Sequence, residues 1–222
     1  MNTHLKKYLE IYEKFPLNAY FSKEQRKVRH KMMTSWEKEA VDEYPSLDEL
    51  MDFVTQYKNN IHITPQFFQK FQSVWREDFN HGYQFSEFLL EMDLEELIWK
   101  FDLSSMHLAN QVLKRHQNHV KALKLKLKLL VRYHDFCLHE LPWGVLAEGN
   151  REEELNSVTE MEETAKKLNF QAKNFEILCH NCKRYYPLWF EYLEEKTKCG
   201  FKEFLELKGV DTESIYLPYI MI

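Results

Sequence analysis

The segment Val120–Val131, with the sequence VKALKLKLKLLV, decides the fold class. Leu123, Leu125 and Leu127 alternate with Lys, as in a strand with one polar and one apolar face. Such a strand would need a partner, and no other segment of the chain has a strand pattern. Leu and Lys also favour helix over strand. We therefore predict a helix here and an all-α fold for the chain.

Residue composition and capping signals extend this prediction to the rest of the chain. There are 28 Leu, 27 Glu and 23 Lys against 10 Val and 8 Ile, so helix formers outnumber β-branched residues. Ser22 with Gln25, and Ser46 with Glu49, fit the capping box at a helix start. The predicted helices span residues 3–15, 23–43, 47–58, 65–80, 86–101, 104–117, 119–140, 151–168, 171–184, 187–197 and 200–208.

The connections between these helices are short, which predicts antiparallel helical hairpins stacked as a short solenoid or an irregular bundle. A chain of 222 residues is the size of one domain, and we predict a single domain over 1–222. Pro142 and two glycines interrupt the helices over 141–150. A subdomain break is therefore expected near 141–150.

Charge and apolar content exclude several function classes. The net charge of −5 lacks the basic excess of a general nucleic-acid binder, so we expect no nucleic-acid partner. No apolar run approaches the roughly 20 residues that cross a bilayer, so we expect no membrane partner. The first fifteen residues have no signal-peptide core, and four cysteines are too few for a disulfide-built fold. We therefore expect reduced thiols and a cytoplasmic protein.

Two segments resemble junctions between tetratricopeptide repeats. In Val112–Leu127, Val112, Asn118, Ala122 and Leu123 take the places of the apolar residue, the turn and the Ala-Leu pair of that family, whereas Arg115 and Gln117 depart from its pattern. A second match covers Phe175–Leu193, where Trp189 takes the place of the aromatic residue near the start of the next helix. The resemblance implies stacked helix pairs whose concave face binds a peptide or protein.

Two groups of side chains are candidate contacts for such a partner. Lys121, Lys124, Lys128 and Arg132 recur at helical spacing and form one basic stripe, which favours an acidic partner. Tyr185, Tyr186, Trp189 and Tyr192 crowd into a short segment whose rings cannot all face one side of a helix. Exposed members of that group would be interface anchors.

A second interpretation is a metal-dependent enzyme. Asp135 and His139 share a helix face, Glu176 and His180 repeat that spacing, and His134 could add a ligand or base. Two helices that each offer a carboxylate and an imidazole could hold a metal ion inside a bundle. A third interpretation is a bundle that holds an apolar ligand between its helices.

The remaining signals favour a non-catalytic role. Cys179 and Cys182 are two cysteines without the second pair that zinc needs, so buried thiols are expected. The apolar C-terminal segment 215–222 predicts docking on the chain itself or a homodimer contact. We conclude that the sequence favours a helical protein that binds a protein or peptide as a scaffold, regulator or inhibitor, without a cofactor.

Overall fold

The computed structural model describes residues 1–97, 104–196 and 198–210, and in these ranges all regular structure is helical. The predicted all-α fold is confirmed, including the helix that begins at Val120. The helices are α1 (Thr3–Lys14), α2 (Lys23–Lys38), α3 (Leu47–Tyr57), α4 (Pro65–Lys70), α5 (Gln72–His81), α6 (Gln84–Glu91), α7 (Ser105–Arg115), α8 (Val120–Glu140), α9 (Arg151–Lys167), α10 (Lys173–Glu195) and α11 (Phe201–Leu207).

Both predicted capping boxes form. The Ser22 hydroxyl accepts from the Gln25 amide at 3.2 Å and the Gln25 side chain accepts from the Ser22 amide at 2.8 Å. Ser46 and Glu49 repeat this exchange at 3.1 and 3.0 Å. These bonds satisfy amides that the first helical turn leaves without an intrahelical partner, so the sequence itself places the starts of α2 and α3.

The chain divides into two compact units, Met1–Gln117 and Asn118–Ile222. The helix interruption at 141–150 lies inside the second unit, where Leu141–Trp143 form a single 3-10 turn after α8. Among the described residues, no helix combines the length and the apolar content needed to cross a bilayer.

The first unit packs around Phe67, which is fully buried. Its ring centroid lies 4.9 Å from that of Tyr8, 5.4 Å from that of Phe71 and 5.8 Å from that of Phe53. Because these rings come from α1, α3, α4 and the residue that follows α4, one aromatic cluster joins helices distant in sequence. Edge and stacked ring contacts of this kind add to the stabilisation from apolar burial.

The second unit is built on α8, α9 and α10, each of which packs against the other two. α8 and α9 are antiparallel, because Lys126 pairs with Glu160 whereas His134, further along α8, contacts the earlier residue Ser157. α11 packs on the end of α10. The described part of this unit is therefore a three-helix bundle with one added helix.

The structure divides the chain differently at two predicted helices, and the predicted helix 86–101 ends earlier, at Glu91. The predicted helix 65–80 is interrupted at Phe71, because the Phe68 carbonyl accepts from the Phe71 amide and from the Trp75 indole, at 3.1 and 2.8 Å. The predicted helices 171–184 and 187–197 are one helix, α10, with Pro187 inside it. Buried residues on both sides of Pro187, such as Tyr186 and Trp189, hold α10 together despite the missing amide hydrogen.

The predicted helix 23–43 ends at Lys38, and a lysine from another helix lies across its end. The Lys70 ammonium donates to the Trp36 carbonyl at 2.5 Å and to the Glu39 carbonyl at 2.7 Å. These carbonyls belong to the last turn, where no helical amide follows to bond them. A cation at the negative end of the helix dipole also favours this arrangement.

Candidate functional site

α8 is the helix that carries most of the predicted contact residues, and it is held firmly in its bundle. Its first turn is capped by the His119 ring, whose Nδ1 accepts from the Ala122 amide at 3.2 Å. One face is buried against α9 and α10 through Ala122, Leu123, Leu127, Leu130, Val131, His134, Cys137 and Leu138. The opposite face is thereby fixed as a surface.

Three cations of the predicted basic stripe lie on that surface. Lys124 and Arg132 are exposed and Lys128 is half-buried; we call these three residues the basic ridge. They recur every four residues, so they span about 12 Å along the helix axis. Within the described part of the chain, none of the three forms an ion pair or a side-chain hydrogen bond. Lys121, the fourth residue of the stripe, is half-buried.

Apolar side chains run beside the basic ridge. Leu125 and Leu129 are half-buried and Phe136 is 56% exposed, and we call these three residues the apolar strip. At 100° per residue they lie within about 40° of one another around the helix. Nearby, Tyr133 is 42% exposed and Trp143, just past the end of α8, is 80% exposed. The α8 surface therefore combines positive charge with apolar area.

The apolar strip is not among the contacts predicted from the sequence, because the Leu–Lys alternation serves there only to choose between strand and helix. In a helix, the same alternation sends Leu123 and Leu127 inward and Leu125 to the surface. A helix can bury about half of its circumference, so a segment with this many apolar residues leaves some exposed. A helical projection of Val120–Glu140 would have shown this.

The acidic helix α9 neutralises other cations but not the basic ridge. Lys126 Nζ lies 2.6 Å from Glu160 Oε1, and Lys183 Nζ lies 2.7 Å from Glu162 Oε2. Both lysines are therefore paired across helix–helix contacts within the second unit. The ridge cations remain directed at solvent, and a negatively charged partner can reach them without breaking an internal ion pair.

The structure corrects the predicted aromatic contact group. Tyr185 and Tyr186 are fully buried and Trp189 is nearly so, while Tyr192 is half-buried. The Trp189 ring packs edge-on against Phe201 of α11, with centroids 4.9 Å apart. These rings face several directions, as predicted, but α8, α9 and α11 cover α10 on those sides. Tyr185, Tyr186 and Trp189 are therefore core residues, not surface anchors.

A buried polar cluster lies between α8, α9 and α10. The His134 Nδ1 is 3.0 Å from the Tyr186 hydroxyl oxygen, and its Nε2 is 3.0 Å from the Ser157 hydroxyl oxygen. Burial lowers the pKa of His134 to about 4, so the imidazole is neutral near pH 7. A general base works best with a pKa near the operating pH. This arrangement therefore suits a structural hydrogen-bond network better than proton transfer.

Three thiols of the second unit, those of Cys137, Cys179 and Cys182, are buried and form no disulfide. Burial raises the pKa of Cys137 to about 11 and that of Cys179 to about 12, and it raises the pKa of Cys182 as well. A thiol is nucleophilic as its thiolate, so these side chains are unreactive at neutral pH. The prediction that Cys179 and Cys182 are buried thiols is confirmed.

The residues of the metal-site interpretation do not come together. His134 points into the core, whereas His139, Glu176 and His180 are exposed. Burial raises the pKa of Asp135, and the nearby His139 opposes this effect. In residues 1–97, 104–196 and 198–210, no three His, Cys, Asp or Glu side chains form a group that could hold a metal ion. The described residues therefore do not support a metal site formed by these five side chains.

The predicted docking segment 215–222 lies outside the described residues. No protein-family model, curated protein or solved structure matches the chain. The tetratricopeptide resemblance at Val112–Leu127 and Phe175–Leu193 thus stays a prediction.

Proposed function

We propose that this protein binds an acidic segment of a partner protein along α8. The observation that carries the proposal is the basic ridge, unpaired among the described residues, beside the apolar strip on one rigid helix. Carboxylates of the partner would pair with Lys124, Lys128 and Arg132. Its apolar side chains would cover Leu125, Leu129 and Phe136.

Charge supports an acidic partner. The chain carries a net charge of −5, so its overall field repels acidic proteins, and only a local positive surface attracts them. Complementary charges raise the association rate and select among partners more than they add affinity. The ridge therefore provides steering and specificity.

Apolar area supports a protein partner. Phe136 and Trp143 are large side chains exposed on or next to α8. Aromatic residues of this kind act as anchors at the centre of protein interfaces, where neighbouring contacts exclude water. The strip therefore supplies the affinity that charge alone does not. The resemblance of Val112–Leu127 to a repeat family that binds peptides agrees with this role.

The setting that fits this proposal is the cytoplasm. Cys137, Cys179 and Cys182 form no disulfide and are buried, where they act as small apolar side chains. Free thiols of this kind are typical of a reducing compartment. We propose a scaffold, regulator or inhibitor that acts there by covering the acidic segment of its partner.

The first test uses a defined probe, a fluorescent peptide in which Glu and Leu alternate. The double reversal Lys124→Glu and Lys128→Glu should weaken its binding about 10-fold or more, because two attractive pairs become repulsive. Phe136→Ala should weaken binding about 5-fold without changing the dependence on salt, since it removes apolar contact alone. The matched control is Lys166→Glu with Lys167→Glu, which makes the same charge change on exposed residues of α9.

The second test identifies the natural partner. Immobilised protein is exposed to nuclease-treated native cell extract, and retained proteins are compared between the wild type, the ridge variant and the control variant. The proposal expects a protein with an acidic segment that the ridge variant loses and the control keeps, and that crosslinks to α8. It is contradicted if ridge reversal changes neither peptide binding nor any retained protein, or if the control has the same effect.

A further inference from the structure

A second charged surface lies on α2, in the first unit. Lys23, Arg26, Lys27, His30 and Lys31 are all exposed, and we call these five residues the α2 basic face. Their spacing of three and four residues places them within about 140° around the helix. The buried residue of α2 is Trp36, which lies on the opposite side.

The α2 basic face is a local exception to the charge of the chain. The helix Lys23–Lys38 has six Lys and Arg against two Glu, a formal charge of +4, whereas the remainder of the chain carries −9. The net charge of the chain predicts no nucleic-acid partner. However, net charge is an average over surfaces that a ligand contacts separately, and a polyanion that approaches α2 meets a positive potential.

The cations of this face are not used by the fold. Elsewhere in the first unit, Lys7 pairs with Glu39, Lys70 bonds carbonyls at the end of α2, and Arg29 lies over the Tyr12 ring at 5.0 Å. In contrast, no member of the α2 basic face forms an ion pair or side-chain hydrogen bond within the described ranges.

The face also opposes helix stability. Lys23 and Lys27, like Lys27 and Lys31, are like charges four residues apart, which repel on a helix. A bound polyanion removes that repulsion. The helix is nevertheless held in place by its capping box, by buried Trp36 and by Lys70, so the cations are presented on a fixed frame.

The chemistry around the face favours nucleic acid over the other polyanions. From Lys23 to Lys31 the cations span about 12 Å, and each nucleic-acid strand places a phosphate about every 3.4 Å of a duplex axis. Beside them, Val28 is the single exposed large apolar residue of α2. The described part of this face thus offers little of the aliphatic area that a protein interface or an inserted membrane helix uses.

An exposed aromatic residue precedes these cations in the chain. Tyr20, two residues before the capping residue Ser22, is 97% exposed. Proteins that bind single strands combine a positive surface along the phosphates with aromatic rings on which bases stack. We propose that the α2 basic face and Tyr20 bind single-stranded nucleic acid, with phosphates on the cations and one base stacked on Tyr20.

The test measures fluorescence anisotropy of the full chain with labelled single-stranded RNA and DNA of about 20 nucleotides, at about 50 and 200 mM salt. The triple variant Arg26→Gln, Lys27→Gln and Lys31→Gln should bind at least 10-fold more weakly at the lower salt. The slope of the logarithm of the association constant against the logarithm of the salt concentration should fall in magnitude by about 2, because three phosphate contacts are lost. Circular dichroism confirms that the exposed substitutions leave the helices intact.

The matched control removes the same number of charges from exposed lysines outside both basic surfaces, as Lys166→Gln, Lys167→Gln and Lys173→Gln. It should change the affinity less than 2-fold. The exchange Arg26→Lys with Lys27→Arg keeps the charge and should keep binding. Tyr20→Ser should weaken single-strand binding about 5-fold or more and leave duplex binding unchanged, because paired bases offer no free ring face.

Four results would overturn the proposal. It is overturned if the wild-type protein binds neither oligonucleotide at the lower salt. It is also overturned if the lysine control loses as much affinity as the α2 variant, which would show a general charge effect. A further contrary result is that poly-glutamate binds as tightly as the oligonucleotides and loses the same affinity in the α2 variant. The last contrary result is that vesicles containing phosphatidylserine bind the protein while the oligonucleotides do not.

Discussion

The imidazole of His134 and the hydroxyl of Tyr186, 3.0 Å apart, join α8 to α10 inside the second unit. With Ser157 on the other ring nitrogen, all three helices of the bundle share one hydrogen-bond network. A buried network is stabilising while every member is satisfied and costly when one partner is removed. Two of the predictions below depend on this relationship.

The first prediction concerns pH. The pKa of His134 is about 4 in the fold and about 6.5 in the unfolded chain, so the unfolded state binds the extra proton between these values. The free energy of unfolding should therefore be independent of His134 protonation above about pH 7. It should fall by about 3 kcal/mol as the pH falls to about 4. Urea titrations at several pH values measure it.

The comparison for that prediction is His134→Gln, which cannot gain a proton in this range. The variant should be less stable than the wild type at neutral pH but should lose less stability on acidification. Parallel pH profiles for the two proteins would show that His134 is not the titrating group.

The second prediction concerns the other partner of the network. Tyr186→Phe removes the hydroxyl and leaves His134 Nδ1 without its bond in a buried site. We expect a loss of about 1–3 kcal/mol in urea unfolding. Tyr133→Phe is the control, because Tyr133 is partly exposed and its bond to Glu154 can be replaced by water. An equal loss in both variants would argue against a special role for the buried bond.

The third prediction concerns the end of α2. Lys70→Met keeps the length of the side chain and removes the ammonium that bonds the Trp36 and Glu39 carbonyls. The expected loss is about 1–2 kcal/mol in the free energy of unfolding. Lys38→Met, an exposed change in the same last turn, should cost under about 0.5 kcal/mol. A neutral result for Lys70→Met would mean that water caps these carbonyls equally well.

The fourth prediction concerns thiol reactivity. Cys199 is half-buried, whereas the other three cysteines are buried and have raised pKa values. Iodoacetamide at neutral pH should therefore modify Cys199 first in the folded protein, and all four thiols in urea. Peptide mass spectrometry reads the order of labelling. Early labelling of Cys182 in the native state would contradict the packing of α10.

Local signals were sufficient for the helices and for most of their starts. The capping boxes at Ser22 and Ser46 bond residues three apart, so no other part of the chain is needed to make them. The same holds for the α8 cations, because residues four apart on any helix share a face. The all-α fold and the positions of the basic ridge were therefore predictable from sequence.

Burial was not predictable in the same way, because it depends on which distant helices cover a face. Packing around α10 made Tyr186 a core residue and kept the helix continuous through Pro187. Packing also left Phe136 exposed on α8 and the cations of α2 in solvent. The sequence by itself determined the helices and their charge patterns, since both arise from neighbours along the chain. The tertiary structure alone decided which faces remain available to a partner, since that follows from long-range contacts.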